Sequence, residues 1–249
     1  MLAIVLGSTL LLFMLSWLLY RQFFKRFWDL VLSGLAIVVF SPLFLLLSLL
    51  GVVFMKGNPF FVQKRPGKKK NNGFERIFML IKFRTMSNKK DGMGNLLPDE
   101  QRLNKYGKFL RSTSLDELPE LLNILIGDMS IIGPRPQLVR DMVFMTEKQR
   151  HRHDIRPGLS GLAQVNGRNN ITWEQKLGYD IAYTKNITLF GDISLIVRTI
   201  VKVFKKSDIV RDGTVSDIDF GDWLLQEGKI SRIEYLSKQE EARMVLNNE

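Results

Sequence analysis

Two long apolar stretches dominate the first 54 residues of the chain. Residues 1–20 are almost wholly apolar and about as long as a helix that crosses a bilayer, so they predict an N-terminal membrane helix. No basic residue precedes this stretch and bulky residues end it, which argues against a cleaved signal peptide. The second stretch, residues 30–54, is also long enough to span a bilayer, but Ser41 and Pro42 lie at its middle.

Ser41 and Pro42 predict an interruption of the second apolar stretch. Pro42 lacks an N–H, so the carbonyl of Val38 loses its usual helical donor. The Ser41 hydroxyl can bond a carbonyl one turn back, which makes irregular backbone tolerable in lipid. The sequence therefore favours two helices separated by a break at this pair.

Basic residues flank the second apolar stretch on both sides. Because positively charged flanks stay on the cytoplasmic side, both ends of the stretch are expected there. A re-entrant segment that enters and leaves the membrane by the same face satisfies this condition, and a kinked spanning helix is the alternative. The flanking residues are Arg21, Lys25 and Arg26 before the stretch, and Lys56, Lys64, Arg65, Lys68, Lys69 and Lys70 after it.

Two short segments of strand character follow the membrane region. Residues 60–63 and 77–83 predict strands joined by a basic, glycine-containing loop at residues 66–73, which together form a β-hairpin. On the second strand, Lys82 would share one face with Arg84. That face points either to water or into a phosphate site.

A helical period of apolar residues returns after the hairpin. Residues 99–111 predict one helix with its apolar positions on a single stripe. Ser114 and Glu117 then form a capping-box pattern, so a second helix is expected to begin after Ser114, with apolar residues at helical spacing over residues 118–126. Asp116 and Glu117 would lie in its first turn, where free N–H groups stabilise carboxylates and attract phosphate oxygens. The simpler alternative is that both acids only complement the helix dipole.

The C-terminal part of the chain shows two further helical patterns. Residues 189–204 are apolar and end in Lys205 and Lys206, which fits an interfacial helix and a core helix equally well. From Arg211 the chain is more acidic and polar, with a helix predicted near Ser231. We divide the sequence into an extra N-terminal membrane segment (residues 1–20), a second membrane segment (21–56), a cytosolic domain (57–210) and a C-terminal tail (211–249).

The composition is strongly basic, with a formal net charge of +11. Such a charge favours nucleic acid, an anionic membrane surface or phosphorylated substrates as partners, and the apolar stretches favour the last two over nucleic acid. The chain has no cysteine, which excludes disulfides and thiolate metal sites. Its two histidines, His151 and His153, match no common zinc pattern and are expected on the solvated surface.

Arg135 lies between Pro134 and Pro136. Each proline fixes its own φ angle, and Pro136 also restricts the backbone of the arginine before it. The guanidinium therefore stands on stiff backbone, suited to a fixed phosphate or carboxylate. The alternative is an ordinary proline turn with an exposed arginine. The chain contains no Walker or Rossmann glycine pattern, so the usual nucleotide-fold motifs are not available.

Several short motifs occur in a fixed order between Lys25 and Lys206. They are Lys25-Arg26-Phe27-Trp28-Asp29, Ser41-Pro42, Gln63-Lys64-Arg65-Pro66-Gly67, Lys82-Phe83-Arg84-Thr85-Met86, residues 111–119, Gly127-Asp128-Met129-Ser130, residues 133–136, Arg156-Pro157-Gly158 and Gln164-Val165-Asn166-Gly167-Arg168. In this order the motifs resemble those of the bacterial sugar transferase family. These are monotopic phosphoglycosyl transferases, which move a sugar 1-phosphate from a nucleotide sugar to polyprenol phosphate.

The resemblance implies a fold and a place in the cell. The fold would be α+β and mainly α, with a small β-hairpin in a cytosolic catalytic domain. A re-entrant membrane helix would seat that domain on the cytoplasmic face of the bacterial inner membrane, among its lipids. The reaction would be the first membrane step in the assembly of a glycoconjugate, with a UDP-sugar and undecaprenyl phosphate as substrates. The sugar, and whether the chain forms a homodimer, stay open.

The resemblance also implies roles for particular residues. Asp116 is similar to the family's nucleophile, which forms an aspartyl phosphosugar and releases UMP. Glu117 is similar to its partner, and both acids would lie at the Mg²⁺ ion that the family requires, because adjacent acids otherwise repel a phosphate substrate. The residues that match phosphate-binding positions are Arg111, Lys82, Arg135, Arg65 and Arg168.

Two other functions are compatible with parts of the sequence. A non-enzymatic membrane adaptor that holds anionic lipids or acidic partners would account for the basic charge and the apolar stretches. It would not account for Asp116 and Glu117 so soon after Arg111, or for Arg135 between prolines. A nucleotide or lipid pyrophosphate hydrolase could use the same two acids.

Overall fold

The computed structural model describes residues 19–167, 171–205 and 218–248. Within these ranges the chain is mainly helical, with a small antiparallel hairpin and an apolar N-terminal helix, which confirms the α+β, mainly α class. The membrane helix predicted for residues 1–20 lies outside the described residues except for its last two positions. Arg168 lies outside them as well.

Most of the helices and strands are joined by short connections. They are a π-helical turn (Tyr20–Phe24), α1 (Lys25–Met55), β1 (Phe60–Lys69), β2 (Glu75–Phe83), α2 (Asp99–Arg102), α3 (Lys105–Thr113), a 3-10 turn (Leu115–Glu117), α4 (Glu120–Ile126), β3 (Ser130–Ile132), α5 (Val139–Met142), α6 (Glu147–Arg150), a 3-10 turn (His151–Asp154), β4 (Gly158–Ser160), α7 (Leu162–Asn166), α8 (Trp173–Lys185), α9 (Leu189–Lys205), α10 (Phe220–Gln226) and α11 (Arg232–Asn248).

α1 is one uninterrupted α-helix that contains Pro42. The prediction of two helices separated by a break at Ser41 and Pro42 is therefore wrong at the level of helical structure. The Ser41 hydroxyl donates a hydrogen bond to the Val38 carbonyl at 2.8 Å, and this is the carbonyl that the proline leaves without an N–H donor. Because the hydroxyl replaces the missing donor, the helix continues through the proline.

α1 contacts the rest of the protein near both of its ends. At its start, the Lys25 ammonium lies 2.7 Å from a carboxylate oxygen of Asp192. Near its end, the Tyr106 hydroxyl donates to the Leu47 carbonyl at 2.8 Å, and the Asn104 amide donates to the Phe54 carbonyl at 3.2 Å. Large apolar side chains along the remaining surface of α1 are exposed. The helix is thus bound to the domain along one side and uncovered along the other.

The predicted hairpin is confirmed, with longer strands than expected. β1 and β2 pair antiparallel, Phe60 opposite Phe83 and Pro66 opposite Ile77. Pairing continues past Pro66 with a shift of register, to Lys69 opposite Glu75, so the loop is shorter than the predicted residues 66–73. The proline is tolerated because each strand of a two-stranded sheet has a free edge.

The single helix predicted for residues 99–111 is instead two helices, α2 and α3. The break falls at Leu103 and Asn104, where the backbone is extended. The Asn104 side chain accepts a hydrogen bond from the Gly107 N–H at 2.8 Å and so caps α3. An N-cap residue needs non-helical backbone, and this ends α2.

The part of the C-terminal tail that the structure describes packs on the domain. Phe220 of α10 and Ala242 of α11 are buried in one apolar cluster with Val143, Trp173 and Leu177. The helix predicted near Ser231 is confirmed as α11, which begins at Arg232. These two helices therefore complete a core rather than extend from it.

α9 confirms the helix predicted at residues 189–204, and its faces differ. Asp192 and Leu195 are buried against the domain. Large apolar residues on its remaining surface are exposed: Leu189, Phe190, Ile193, Val197, Ile200 and Val201. Of the two interpretations of the sequence, this pattern favours an interfacial helix over a core helix.

Candidate active site

The turn that carries Asp116 and Glu117 differs from the predicted capping box. Ser114 has a left-handed backbone, with φ of 56°, and its N–H donates to carbonyls at the end of α3. It therefore closes the preceding helix instead of opening the next one, and its side chain makes no capping bond. The two acids lie in a 3-10 turn, and the following helix starts only at Glu120.

Four charged side chains meet next to this turn, and we call them the ion cluster: Lys82, Glu117, Glu120 and Arg135. The Lys82 ammonium lies 2.9 Å from Oε1 of Glu117 and 2.9 Å from Oε1 of Glu120. Nη2 of Arg135 also donates to Oε1 of Glu117, at 2.9 Å. One carboxylate oxygen thus joins a strand, a turn and the proline loop in a single contact.

The ion cluster is largely removed from water. The Lys82 side chain is 16% exposed and that of Glu120 only 3%. Arg135 is the most open member, with 43% of its side chain exposed. Buried ion pairs are a poor source of stability, because their desolvation offsets their attraction. A buried cluster with one cation facing outwards is more typical of a site that binds a charged ligand.

Burial dominates the protonation of the acids at this site. Burial first, and then the charge of the adjacent Glu117, raise the pKa of Asp116 to about 6, against the opposing effects of Lys82 and Arg111. Burial likewise raises the pKa of Glu120 to about 7, against the effect of Lys82. Burial alone would lower the pKa of Lys82, yet the two glutamates outweigh it and raise that pKa. Lys82 therefore stays charged at neutral pH.

Arg111 lies at the end of α3, close to the acids. Its Nε donates to the Thr85 hydroxyl at 3.0 Å, which fixes the guanidinium against the segment after β2. Its charge is close enough to favour ionisation of Asp116. Thr85 is a buried residue that the sequence analysis did not single out.

Arg65 supports the backbone of the loop that contains Pro134, Arg135 and Pro136. Its Nη1 donates to the Pro136 carbonyl at 3.1 Å, and its Nη2 donates to the Gln63 side chain at 2.7 Å. Burial and the nearby Arg135 lower its pKa to about 10. The structure thus brings Lys82, Glu117 and Arg135 into direct contact. Arg65 is not part of this contact and instead bonds the backbone next to Arg135.

The backbone of Arg135 has a second support that the sequence did not reveal. Nη2 of Arg152 donates to the Arg135 carbonyl at 2.6 Å. The same guanidinium makes bonds of 2.9 and 2.7 Å to Oδ2 of Asp180, and both side chains are almost fully buried. The position of Arg135 is therefore set by its prolines and by a buried ion pair.

The expectation of two solvated histidines is wrong for His153. Its side chain is buried, and its Nδ1 lies 3.1 Å from Oε1 of Glu75 on β2. Burial lowers its pKa to about 4, although Glu75 opposes the shift. His151 is exposed, as expected. The sequence around His153 did not indicate that its side chain is buried, because its partner Glu75 lies 78 positions away in the chain.

Asn123 and Glu120 were also missed. The Asn123 side chain donates to the Met79 carbonyl at 2.7 Å and accepts from the Ile81 N–H at 3.0 Å, so it clamps the strand that carries Lys82. Glu120 follows Glu117 by three positions, which places the two on one helical face. That spacing was a signal in the sequence for Glu120.

Within the described ranges, no three acidic, histidine or cysteine side chains form a group that could hold a metal ion. A cation at Asp116 and Glu117 would need further oxygen ligands from a substrate. Magnesium binds in this way, through one or two carboxylates together with substrate phosphates. Asp116 offers such a carboxylate, whereas Oε1 of Glu117 is already bonded to Lys82 and Arg135.

Comparison with known proteins gives a consistent result. The sequence model for bacterial sugar transferases matches residues 20–206. The chain is 42% identical over 193 residues to the uncharacterized sugar transferase EpsL of Bacillus subtilis, covering 77% of this chain and 93% of that protein. It is 34% identical over 196 residues to the exopolysaccharide production protein ExoY of Rhizobium meliloti, covering 72% and 84%.

Longer proteins match over the same region. The chain is 35% identical over 191 residues to the UDP-glucose:undecaprenyl-phosphate glucose-1-phosphate transferase of Klebsiella pneumoniae. This match covers 73% of the present chain but only 40% of that protein.

Proposed function

Because this chain belongs to the bacterial sugar transferase family, we propose that it transfers a sugar 1-phosphate from a UDP-sugar to undecaprenyl phosphate. The products are UMP and an undecaprenyl-diphosphate sugar. This would be the first membrane step in assembling an exopolysaccharide or a related glycoconjugate. The observation that carries the proposal is the buried ion cluster, in which Lys82 and Arg135 contact Glu117, the residue next to Asp116, and their charges favour ionisation of Asp116.

Asp116 is the proposed nucleophile. Its carboxylate attacks the sugar-bearing phosphorus of the UDP-sugar, the bond from that phosphorus to the bridging oxygen breaks, and UMP leaves with the electron pair. An oxygen of undecaprenyl phosphate then attacks the same phosphorus. The acyl-phosphate bond breaks, and the carboxylate of Asp116 is restored. This division into two steps is typical of covalent catalysis.

The cations of the ion cluster stabilise the charge that develops in both steps. Glu117 holds Lys82 and Arg135 through one oxygen, so their positive groups are already in place when substrate binds. Arg111, fixed by Thr85, adds a third positive group on the side of Asp116. The half-open Arg135 is the member most accessible to the diphosphate.

Asp116 and Glu117 are the proposed holders of a magnesium ion. One oxygen of Glu117 is bonded to two cations, so Asp116 is the stronger ligand candidate. When bound, the ion would neutralise diphosphate oxygens and polarise the reacting phosphate.

The proposed seat is monotopic, with both ends of α1 on the cytoplasmic side. A helix that crossed the bilayer would carry its far end about 30 Å from a cytosolic domain. α1 instead contacts the same domain near its start and near its end, while its other side is exposed. The exposed apolar residues of α9 give a second surface for lipid. This geometry supports a membrane segment whose two ends lie at the same face of the bilayer.

The test is a rapid-quench experiment with a UDP-sugar labelled in the sugar and with magnesium present. Without undecaprenyl phosphate, we expect one equivalent of UMP and a phosphosugar on Asp116 that hydroxylamine releases, because an acyl phosphate is a reactive anhydride. Asp116→Asn should form no adduct, since an amide is a poor nucleophile. Addition of undecaprenyl phosphate should discharge the adduct into lipid.

Three outcomes would contradict the proposal. An adduct on another residue would exclude Asp116 as the nucleophile. Continuous UMP release without acceptor would favour the pyrophosphate hydrolase. No turnover of any UDP-sugar would favour the membrane adaptor.

A further inference from the structure

A cleft of about 290 Å³ lies at the start of α1, away from the ion cluster. A neighbouring cavity of about 200 Å³ shares Lys68 and Arg156 with it and has three more basic residues. We call the first of these the basic cleft. Its basic residues are Arg21, Lys25, Arg26, Lys68 and Arg156, and its acidic residues are Asp29 and Asp154.

The basic cleft is distinct from the catalytic residues. Arg26 donates to the carbonyls of Ile124 and Leu125 at 2.6 and 2.9 Å, and Nε of Arg156 donates to the Gly127 carbonyl at 2.8 Å. These carbonyls lie at the far end of α4, whose first residue is Glu120 of the ion cluster. Seven residues of helix separate the two places by about 10 Å.

The positive charge of the basic cleft is only partly compensated. Lys25 is paired with Asp192, and Arg26 is occupied by backbone carbonyls. Capping of α4 accounts for Arg26 and for one nitrogen of Arg156. Capping of α4 does not account for Lys68. This residue is exposed, and its side chain makes no hydrogen bond or ion pair with the described part of the chain.

Ser130 lines the basic cleft as well. Its hydroxyl is buried and has no hydrogen-bond partner among the described residues. A buried hydroxyl without a partner is costly, and such a group in a native protein calls for an explanation. A phosphate oxygen in the cleft would accept its hydrogen bond.

The surroundings of the basic cleft indicate where such a phosphate comes from. Phe23 and Phe24 of the π-helical turn and Phe27 at the start of α1 are exposed beside it. On its other side, Lys25 is paired with Asp192 of α9, the helix whose outer face is apolar. A basic cavity between two exposed apolar surfaces matches the headgroup level of a membrane.

We propose that the basic cleft binds the phosphate of an anionic phospholipid. Lys68 and Arg156 supply the charge, and the Ser130 hydroxyl supplies a directed hydrogen bond. The lipid is not the acceptor of the reaction, because the cleft lies at the opposite end of α4 from Glu120 of the ion cluster. The proposal rests on the membrane seat proposed above, and it is independent of the transfer chemistry.

The test uses the full chain in nanodiscs of phosphatidylcholine and phosphatidylglycerol, followed by native mass spectrometry of the released protein. Wild type should retain phosphatidylglycerol in preference to phosphatidylcholine. Lys68→Glu should lower that retention by roughly fivefold or more, because one cation near the surface is replaced by an anion. Ser130→Ala should also lower it while leaving thermal stability unchanged or higher, since the variant removes an unpartnered hydroxyl.

The matched control is Lys148→Glu, which makes the same charge change at an exposed lysine that lines neither cavity. It should retain lipid as wild type does. Equal retention in all variants, or no preference for phosphatidylglycerol, would overturn the proposal. Displacement of the lipid by inorganic phosphate at matched concentration would assign the cleft to a soluble anion instead. Asp116→Asn should retain lipid normally, which separates this result from the transferase test.

Discussion

Asp116, the proposed nucleophile, has a pKa that is set mainly by its burial and by the charged residues around it. Asp116 has a raised pKa because it is desolvated and adjacent to Glu117, while Lys82, Arg111 and Arg135 limit the shift. A carboxylate with a pKa of about 6 is still mostly ionised at neutral pH. It is also more basic than an exposed aspartate, which favours nucleophilic attack.

The pKa of Asp116 predicts an acid limb in the pH profile. Only the ionised carboxylate attacks phosphorus, so kcat/KM should fall about tenfold per pH unit below about pH 6. Glu117→Gln removes the negative charge that raises this pKa, so the acid limb of the remaining activity should move to lower pH. The measurement is single-turnover UMP release across a pH series. An unchanged limb in the variant would show that Asp116 does not control it.

At the residue scale, the sequence predicted the acids and two of their cationic partners but not the contacts that hold them. Lys82, Glu117 and Arg135 belong to recognisable motifs. Arg152 and Asp180 do not, because a buried ion pair between residues 28 positions apart leaves no local pattern. Ser114 misled the analysis, since its spacing to Glu117 fits a capping box while its backbone closes the preceding helix.

At the element scale, α1 shows the limit of a local rule. The sequence predicts a weak point at Ser41 and Pro42 and a bond from the Ser41 hydroxyl to a carbonyl one turn back, and the structure identifies that carbonyl as Val38. The helix can either end at this bond or continue through it, and the outcome depends on how the rest of α1 packs. A short sequence pattern carries no information about that packing. The hairpin could be predicted from the sequence, because its two strands and its turn are adjacent in the chain.

The contacts at the two ends of α1 predict one-sided labelling. The chain has no cysteine, so single cysteines at the exposed positions Gln22 and Gly57 can be tested without background. In intact spheroplasts, an impermeant maleimide should label neither cysteine. Both cysteines should be labelled once the membrane has been permeabilised. Labelling of only one of them in intact spheroplasts would mean that α1 crosses the bilayer.

At the scale of the whole molecule, the C-terminal helices share a core with the catalytic domain. Phe220 is buried against Trp173, and the Trp173 indole donates to the Ile218 carbonyl at 3.0 Å. In addition, the Lys64 ammonium on β1 donates to the Leu246 carbonyl at 2.6 Å. No role of this tail is predictable from its sequence, because it is largely polar and its partners are segments far away in the chain.

This shared core predicts a large difference between two like substitutions. Phe220→Ala should lower the free energy of unfolding by about 3 to 5 kcal/mol, because it leaves a cavity in a buried cluster. Phe190→Ala is the matched control, since that ring is 82% exposed on α9, and in detergent it should change stability little. Denaturant unfolding of both variants is the measurement. Equal effects would show that α10 is not part of the cooperative unit.

The apolar helix α1 also has a consequence for how the protein is made. Leu47 and Met55 of α1 are buried in one cluster with Phe83, Tyr106 and Leu110 of the domain. The helix leaves the ribosome first, yet its inner side has no partner until the hairpin and α3 have been synthesised. With the membrane seat proposed above, we therefore expect α1 to reach the bilayer before this core is complete. A catalytic fragment without α1 would expose those three residues and would depend on chaperones to stay in solution.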